Sequence, residues 1–187
     1  MMADAPLSRL IEPSSALLMV IDLQEKLVPH IHQSDRVVER AVRMIRAARI
    51  LGVPVVVTEQ YPRGLGPTVA PVLEVVPDVK MEKTTFGCLG TPGIRDAVVA
   101  PGVRTVILVG IEAHVCVLQT ALQALSEGLA VHVVRDAVGS RAIEDADAGL
   151  ARMSQAGASI TTSEMTILEL VGDAKRPEFR QVLPLVR

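Results

Sequence analysis

The sequence is poor in aromatic side chains. Its 187 residues include one tyrosine, two phenylalanines and no tryptophan; the three rings belong to Tyr61, Phe86 and Phe179. Proteins that bind single-stranded nucleic acid without sequence preference stack the bases on aromatic side chains. Three rings are too few for such a platform, so we expect no nucleic-acid partner. The core must be aliphatic, because 49% of the residues are nevertheless hydrophobic.

The chain also has little net charge, few cysteines and no long apolar run. The 19 basic and 21 acidic side chains give a formal charge of −2, which offers no electrostatic footprint for nucleic acid or an anionic membrane. Two cysteines, Cys88 and Cys116, are too few for a disulfide framework or a four-thiolate zinc site. No apolar run reaches the roughly 18–20 residues that span a bilayer. Residues 1–10 lack the pattern of a secretory signal. We therefore expect a cytoplasmic protein with no membrane partner.

Short apolar segments alternate with longer amphipathic segments along the chain. This alternation is typical of an α/β fold with a mostly parallel sheet. We predict a single domain over residues 1–187, with a core at about 14–170 and a surface tail or interface arm from 175. Strands are predicted at 16–21, 54–58, 79–82, 105–109, 130–134 and 159–162. Helices are predicted at 35–51, 93–100, 114–127 and 143–155, and a proline-rich loop at 60–71.

Reactive side chains follow the ends of three predicted strands. Asp22 follows the first strand, Lys83 the third, and Cys116 follows the strand at 105–109 through a short turn. In open parallel sheets, ligands bind beyond the carboxyl ends of the strands. A carboxylate that accepts a thiol proton, a cation that stabilises the thiolate and a helix N-terminus that lowers the thiol pKa together make an activated thiol. Each residue also has a structural explanation: a turn-forming Asp, a solvated Lys and a core Cys.

Three motifs resemble those of the isochorismatase-like cysteine hydrolases. Residues 20–24, Val-Ile-Asp-Leu-Gln, resemble the opening D-x-Q motif of that family. Residues 82–87 resemble its lysine motif, and residues 110–117 resemble its G-x-x-x-x-x-C-V nucleophile motif. The resemblance covers about residues 14–170. Within the family, residues 58–67 and 110–117 are most similar to the isochorismatase domain-containing subgroup.

The resemblance implies a Rossmann-like three-layer α/β/α sandwich and a catalytic triad of Asp22, Lys83 and Cys116. In such enzymes the thiol attacks a carbonyl or related electrophilic carbon and the carboxylate relays its proton. The lysine holds both groups, and water hydrolyses a thioester-like intermediate. A cis peptide between Ile111 and Glu112 is also implied; it would aim the backbone N–H groups of Glu112 and Cys116 at the oxyanion. The side chains expected to line the substrate pocket are Gln24, Leu27, Glu59, Tyr61, Phe86 and His114.

The sequence departs from the metal-dependent members of the family. Nicotinamidases carry an Asp-x-His metal motif after the second strand, where this chain has Glu59, Gln60 and Tyr61. We therefore predict no catalytic metal and no cofactor. The one histidine cluster, His30 and His32, has no cysteine or carboxylate pattern around it that would suggest a metal site.

These observations predict a metal-independent cysteine hydrolase acting on a small amide or a related C–N or ester-type bond. Two alternatives stay open: an isochorismatase-type vinyl-ether hydrolase, and a non-catalytic small-molecule or protein-binding module on the same fold. Nucleotide binding is disfavoured, because Gly64 and Gly66 do not directly join a strand to a helix; they are more typical of a mobile flap. Cys88 is either a loop thiol or a second, redox-sensitive thiol. The apolar composition and the resemblance also predict a homo-oligomer, a dimer or tetramer.

Overall fold

The computed structural model describes residues 10–76 and 80–186. Within them, six strands form one sheet in which neighbouring strands are parallel, in the order β3-β2-β1-β4-β5-β6. The first strand, β1, is in the middle of the sheet. Strands β2 and β3 are added on one side of it, and β4, β5 and β6 are then added on the other side. Strand order therefore reverses between β1 and β4, where such sheets open a crevice for ligands. The strands are β1 (Ala16–Ile21), β2 (Val55–Gln60), β3 (Lys80–Lys83), β4 (Thr105–Ile111), β5 (Ala130–Gly139) and β6 (Ser159–Thr161).

Helices cover both faces of the sheet. Those of the described residues are α1 (Ser34–Ile50), α2 (Pro62–Leu65), α3 (Ala70–Leu73), α4 (Pro92–Val98), α5 (Leu118–Ser126), α6 (Ile143–Gln155), α7 (Ser163–Val171) and α8 (Phe179–Val182). Helices α1, α3, α7 and α8 pack into one apolar cluster, and α4, α5 and α6 into another. Successive residues of β1, such as Leu18 and Met19, point to opposite faces of the sheet and belong to opposite clusters. The predicted three-layer α/β/α fold is confirmed. No described helix is long and apolar enough to cross a membrane.

Several predicted boundaries need correction. The segment expected to be a loop at 60–71 contains α2 and the start of α3, whose prolines stand in the first turn, where no helical hydrogen bond is lost. Helix α7 was not predicted, and β5 continues to Gly139 instead of ending at Val134. The expected surface tail contains α8, with Val182 fully buried and Phe179 packed against the core. Val79, the predicted start of the third strand, and residues 1–9 lie outside the described residues.

Gly110 lets the ends of β1 and β4 approach closely. Its φ is +114°, a conformation that favours glycine, and a Cβ at this position would overlap the carbonyl oxygen of Ile21. Ile21 immediately precedes Asp22, and Gly110 is near the end of β4, shortly before the turn that carries Cys116. The missing side chain therefore brings two of the three predicted reactive segments together.

Candidate active site

Asp22 stands directly after β1 and is completely buried. Its φ of 53° is in the left-handed region, which aspartate enters more readily than most residues. Oδ1 accepts a hydrogen bond from Thr58 Oγ1 at 2.7 Å, and Oδ2 accepts one from Lys83 Nζ at 2.7 Å. A buried carboxylate is costly unless it is paired and hydrogen-bonded, and here each oxygen has a partner.

The ammonium group of Lys83, the last residue of β3, is surrounded by acceptors. Nζ lies 2.7 Å from Asp22 Oδ2 and 2.6 Å from Gln60 Oε1. Its more distant neighbours are Thr85 O and Phe86 O, both at 3.2 Å, and Cys116 Sγ at 3.7 Å. Burial alone would lower the pKa of Lys83, but the negative charge of Asp22 and the nearby thiols outweigh it and raise the pKa above its usual value. The side chain is therefore a cation at neutral pH.

Cys116 lies in a π-helical turn, Ala113–Val117, between β4 and α5. Turns of this kind are frequent at functional sites. The residue is 7% exposed. The expectation of a lowered thiol pKa is wrong, because burial first, and the negative charge of Asp22 second, raise the pKa of Cys116 to about 12. At rest the site thus holds a protonated thiol beside an ammonium–carboxylate pair.

The turn that carries Cys116 is held from two sides. The peptide bond between Ile111 and Glu112 is cis, the conformation that the resemblance implies. The Glu112 carboxylate accepts hydrogen bonds from the backbone N–H of Arg141 at 3.2 Å and from its Nε at 3.0 Å. On the other side, Gly149 of α6 lies so close that a Cβ there would be 2.8 Å from the Cα of His114. The backbone of the turn is therefore clamped between the end of β5 and α6.

Two of the side chains expected in the pocket instead bind the protein itself. Gln24 is buried, and its Nε2 donates to Gln60 O at 3.0 Å and to Gly66 O at 2.7 Å. Glu59 is also buried, and its Oε1 accepts from the N–H and the hydroxyl of Thr68 at 2.8 and 2.7 Å. Both side chains therefore hold the segment that follows β2.

The other predicted pocket residues lie in three different environments. Leu27 is half-buried and packs against the core on the α1 side. Tyr61 and Phe86 flank the Lys83 region at the surface, with 54% and 56% of their area exposed. His114 is half-buried, and its Nδ1 lies 2.9 Å from Ser140 Oγ, a contact that joins the turn to the end of β5. Tyr61 and Phe86 thus have surface free for an incoming molecule.

Two side chains that contact the predicted triad were missed from the sequence. Thr58 binds Asp22, and Gln60 binds Lys83. Alternate residues of a strand face the same side of a sheet, so a site on one side of β2 takes residues 58 and 60 and leaves out Glu59. This periodicity is the signal that would have found them.

Cys88 begins a short 3-10 turn, Cys88–Gly90, and its thiol is buried. It has no exposed area, and burial raises its pKa to about 11. Its Sγ lies 4.0 Å from Thr58 Oγ1, so it sits behind the residue that binds Asp22. The second cysteine therefore packs beneath the site.

A cavity of about 200 Å³ lies beyond the end of β5, lined by residues that include His32, Arg36, Arg135 and Ser140. The three residues of the predicted triad do not line it. Ser140, which contacts His114, belongs to both regions. This cavity is therefore separate from the site around the Cys116 thiol, but it adjoins the turn that carries Cys116.

The described residues do not form a metal-binding cluster. Within 10–76 and 80–186, no three His, Cys, Asp or Glu side chains are placed to hold a metal ion. His30 and His32 are both exposed at the surface. Within those described residues, this histidine pair has no third His, Cys, Asp or Glu side chain placed to complete a metal site.

The chain is similar to known proteins both in sequence and in fold. The family model described as the isochorismatase domain matches residues 15–165. Isochorismatase domain-containing protein 2 from Pongo abelii is 46% identical over 176 residues, which cover 94% of this chain and 84% of the relative. A structure described as the MAR1 ribonuclease from Caenorhabditis elegans is 47% identical with a TM-score of 0.89, covering 94% and 91% of the two chains. The structure of YcaC from Pseudomonas aeruginosa, with hexane-2,5-diol and covalent acrylamide, is 26% identical with a TM-score of 0.88, covering 95% and 92%.

Proposed function

The chain belongs to the isochorismatase family, and we propose that it is a metal-independent cysteine hydrolase acting on a small amide or a related C–N or ester-type bond. Membership of the family supports a hydrolase-type function. The finer proposal is carried by one observation: Lys83 Nζ lies 2.7 Å from Asp22 Oδ2 and 3.7 Å from Cys116 Sγ. An acid, a cation and a thiol in mutual contact are the components of nucleophilic catalysis by cysteine.

Proton transfer inside this site leaves its net charge unchanged. The resting state has a carboxylate, an ammonium and a neutral thiol. Moving the thiol proton to Asp22 yields a thiolate beside the ammonium of Lys83 and a neutral carboxylic acid. A thiol with a pKa of about 12 rarely releases its proton to water at neutral pH, so an internal acceptor is needed to make Cys116 nucleophilic.

The proposed reaction has two halves. As the proton passes to Asp22, Cys116 Sγ attacks the carbonyl carbon, and the backbone N–H groups of Glu112 and Cys116 stabilise the oxyanion. The amine or alcohol leaves with the proton from Asp22, and the acyl group remains on sulfur. Water then gives its proton to Asp22 and its hydroxyl to the acyl carbon. The carboxylic acid departs as Cys116 recovers its proton, so one water is consumed in each turnover.

The test combines labelling with a substrate panel. At neutral pH, iodoacetamide should label Cys116 faster than Cys88, as read by peptide mass. Short amides and esters, quenched during turnover, should leave an acyl adduct on Cys116. Cys116→Ala and Asp22→Asn should abolish turnover, whereas the matched control Cys88→Ala should retain it. The thiol mechanism is rejected if Cys116 labels no faster than Cys88 and Cys116→Ala still turns over every amide that the wild type hydrolyses.

Vinyl-ether hydrolysis is a second candidate, favoured by the match to the isochorismatase domain. This chemistry needs no thiol nucleophile. It therefore predicts that Cys116→Ala remains active while Asp22→Asn does not, the reverse of the expectation for Cys116 above.

RNA hydrolysis is a third candidate, favoured by the 47% identity to a protein described as a ribonuclease. The formal charge of −2 argues against it, because affinity for nucleic acid depends on neutralising phosphates with Lys and Arg. RNA cleavage by the purified wild type that is lost in both Cys116→Ala and Asp22→Asn would establish this activity at the same site. Cleavage that survives in both variants would indicate a contaminating nuclease.

A homo-oligomer, a dimer or tetramer, is also proposed. Several large apolar side chains are exposed on the described surface: Leu10, Tyr61, Leu73, Phe86, Ile143, Met165 and Leu168. Met165 and Leu168, three residues apart on α7, are neighbours on the surface of that helix, and contiguous exposed apolar area marks surfaces that bind other proteins. Light scattering should give a multiple of the 20.0 kDa chain mass, and a stable monomer would reject the proposal.

A further inference from the structure

We infer that Gln60 is a positioning residue that holds the Lys83 ammonium between Asp22 and Cys116 while the thiol proton changes place. The inference rests on the proposed cysteine hydrolase function. Gln60 lies at the end of β2, and its Cα is the register partner of Lys83 across the β2–β3 pair.

The contacts at Nζ identify which groups fix its position. A lysine ammonium has three N–H donors. The two short contacts are with Gln60 Oε1 at 2.6 Å and Asp22 Oδ2 at 2.7 Å. The two carbonyl oxygens and the thiol sulfur lie at 3.2 Å or farther and share the third donor. Asp22 and Gln60 are therefore the principal anchors of the ammonium.

These two anchors behave differently during the reaction. When Asp22 takes the thiol proton it becomes a neutral acid, so the attraction between two opposite charges that held Nζ to the carboxylate is lost. At the same moment a negative charge appears on Cys116 Sγ, which draws Nζ away from the carboxyl group. The amide oxygen of Gln60 is uncharged before and after the transfer, so its hold on Lys83 does not change with the position of the proton.

The orientation of the Gln60 amide is determined by its own partners. Nε2 donates to Thr84 O at 2.8 Å while Oε1 faces Lys83 Nζ. In a flipped amide, a donor would face the ammonium and an acceptor would face the carbonyl, so both bonds would be lost.

Gln24 in turn holds the backbone of Gln60. Its Oε1 accepts from the Gln60 N–H at 2.7 Å, and its Nε2 donates to the Gln60 carbonyl at 3.0 Å. The glutamine of the D-x-Q motif therefore acts on the lysine through Gln60. The chain of contacts runs from Gln24 through Gln60 to Lys83.

A carboxylate could not replace Gln60 without changing the chemistry. It would keep an acceptor at Nζ but would lose the donor to Thr84 O. The carboxylate would also place a second negative charge beside the Lys83 ammonium, close to the sulfur on which the thiolate must form. Like charges nearby disfavour an anion and raise the pKa of an acid, so Gln60→Glu should make the Cys116 thiol harder to deprotonate.

The test is a double-mutant cycle on the rate of Cys116 alkylation by iodoacetamide, which needs no knowledge of the substrate. Gln60→Met removes the amide and keeps the length of the side chain; it should slow alkylation at pH 7 about tenfold. Lys83→Met should slow it further. In the Lys83→Met background, Gln60→Met should cause no additional loss, because a residue that acts only through Lys83 has nothing left to position. Gln119→Met, an exposed glutamine of α5, is the matched control and should react as the wild type.

A second measurement is the pH dependence of alkylation. Gln60→Glu should shift the rise in rate upward by at least one pH unit, which a role only in holding the end of β2 would not do. If Lys83→Met fails to fold, the pair Asp22→Asn/Lys83→Met, which removes both buried charges, supplies the background for the cycle.

The possible failures are distinguishable. Unchanged alkylation in Lys83→Met would overturn the proposed function itself. A loss in Lys83→Met together with wild-type rates and pH dependence in both Gln60 variants would overturn the role of Gln60 alone. A loss from Gln60→Met that persists at full size in the Lys83→Met background would also overturn it, since Gln60 would then act independently of the lysine.

Discussion

Replacing Lys83 by methionine tests how the site is built, independently of catalysis. The Lys83–Asp22 pair is 2.7 Å long, and neither side chain has exposed area. Methionine keeps most of the apolar stem but leaves the Asp22 carboxylate buried without its cation. Removing one partner of a buried ion pair typically costs about 3–5 kcal/mol, because the remaining charge is uncompensated. We expect that loss in the free energy of unfolding at pH 8.

The cost should depend on Asp22. Asp22→Asn/Lys83→Met removes both charges, so it should lose less stability than the sum of the single variants. Double-mutant cycles of contacting residues commonly deviate from additivity by about 0.5–3 kcal/mol.

Urea unfolding at a fixed protein concentration measures these differences, since any oligomer makes stability depend on concentration. For a chain of this size, the loss corresponds to a fall in Tm of about 6–20 °C. Lys26→Met is the matched control: Lys26 is exposed, and its Nζ donates to Gly64 O at 2.9 Å. It should change stability by at most about 0.5 kcal/mol. A cost below about 1 kcal/mol for Lys83→Met, or a loss in Asp22→Asn/Lys83→Met equal to the sum of the two single losses, would refute the reasoning.

Three further substitutions test other parts of the structure. Gly149→Ala places a Cβ 2.8 Å from the backbone of the π-helical turn, so it should cost about 1–3 kcal/mol of folding stability and slow the alkylation of Cys116. Gly93→Ala is the control, because its Cβ would be 3.7 Å from the nearest neighbouring atom. Urea unfolding of this control should show no loss of stability. Thr58→Val leaves an oxygen of the buried Asp22 carboxylate without its donor and should cost about 1–3 kcal/mol by the same assay. Burial lowers the pKa of His132 in the folded protein below its value of about 6.5 in the unfolded chain. The stability that the neutral side chain contributes is therefore present above the unfolded-state pKa and is lost as the pH falls through the lower folded-state pKa. His132→Gln should therefore flatten the stability profile between pH 7 and pH 5, and an unchanged profile would contradict this assignment.

The fold class follows from the sequence because two local signals agree. Continuous apolar segments such as residues 16–21 and 105–109 are the pattern of strands buried on both faces, and amphipathic segments between them are the pattern of crossover helices. Helix α7 was missed because it begins directly after β6, which leaves no polar segment between the two elements. The two short helices at 62–73 were missed because prolines there also predict a loop, and only the packing of Val72 in the core distinguishes these possibilities.

The sequence by itself determined which reactive residues stand at strand ends: Asp22, Lys83 and the segment leading to Cys116. A parallel sheet carries the ends of its strands to one edge, so convergence of these three residues could be expected from their positions alone. Tertiary structure decided what the sequence pattern leaves open, namely strand register and burial. Register across β2 and β3 pairs Gln60 with Lys83 and turns Glu59 away. Burial of Cys116 beside Asp22 raises the pKa of its thiol, whereas the position of Cys116 near a helix N-terminus predicted a lowered pKa. Both depend on contacts between residues distant in sequence, because solvation and charge around a group are set by everything packed against it.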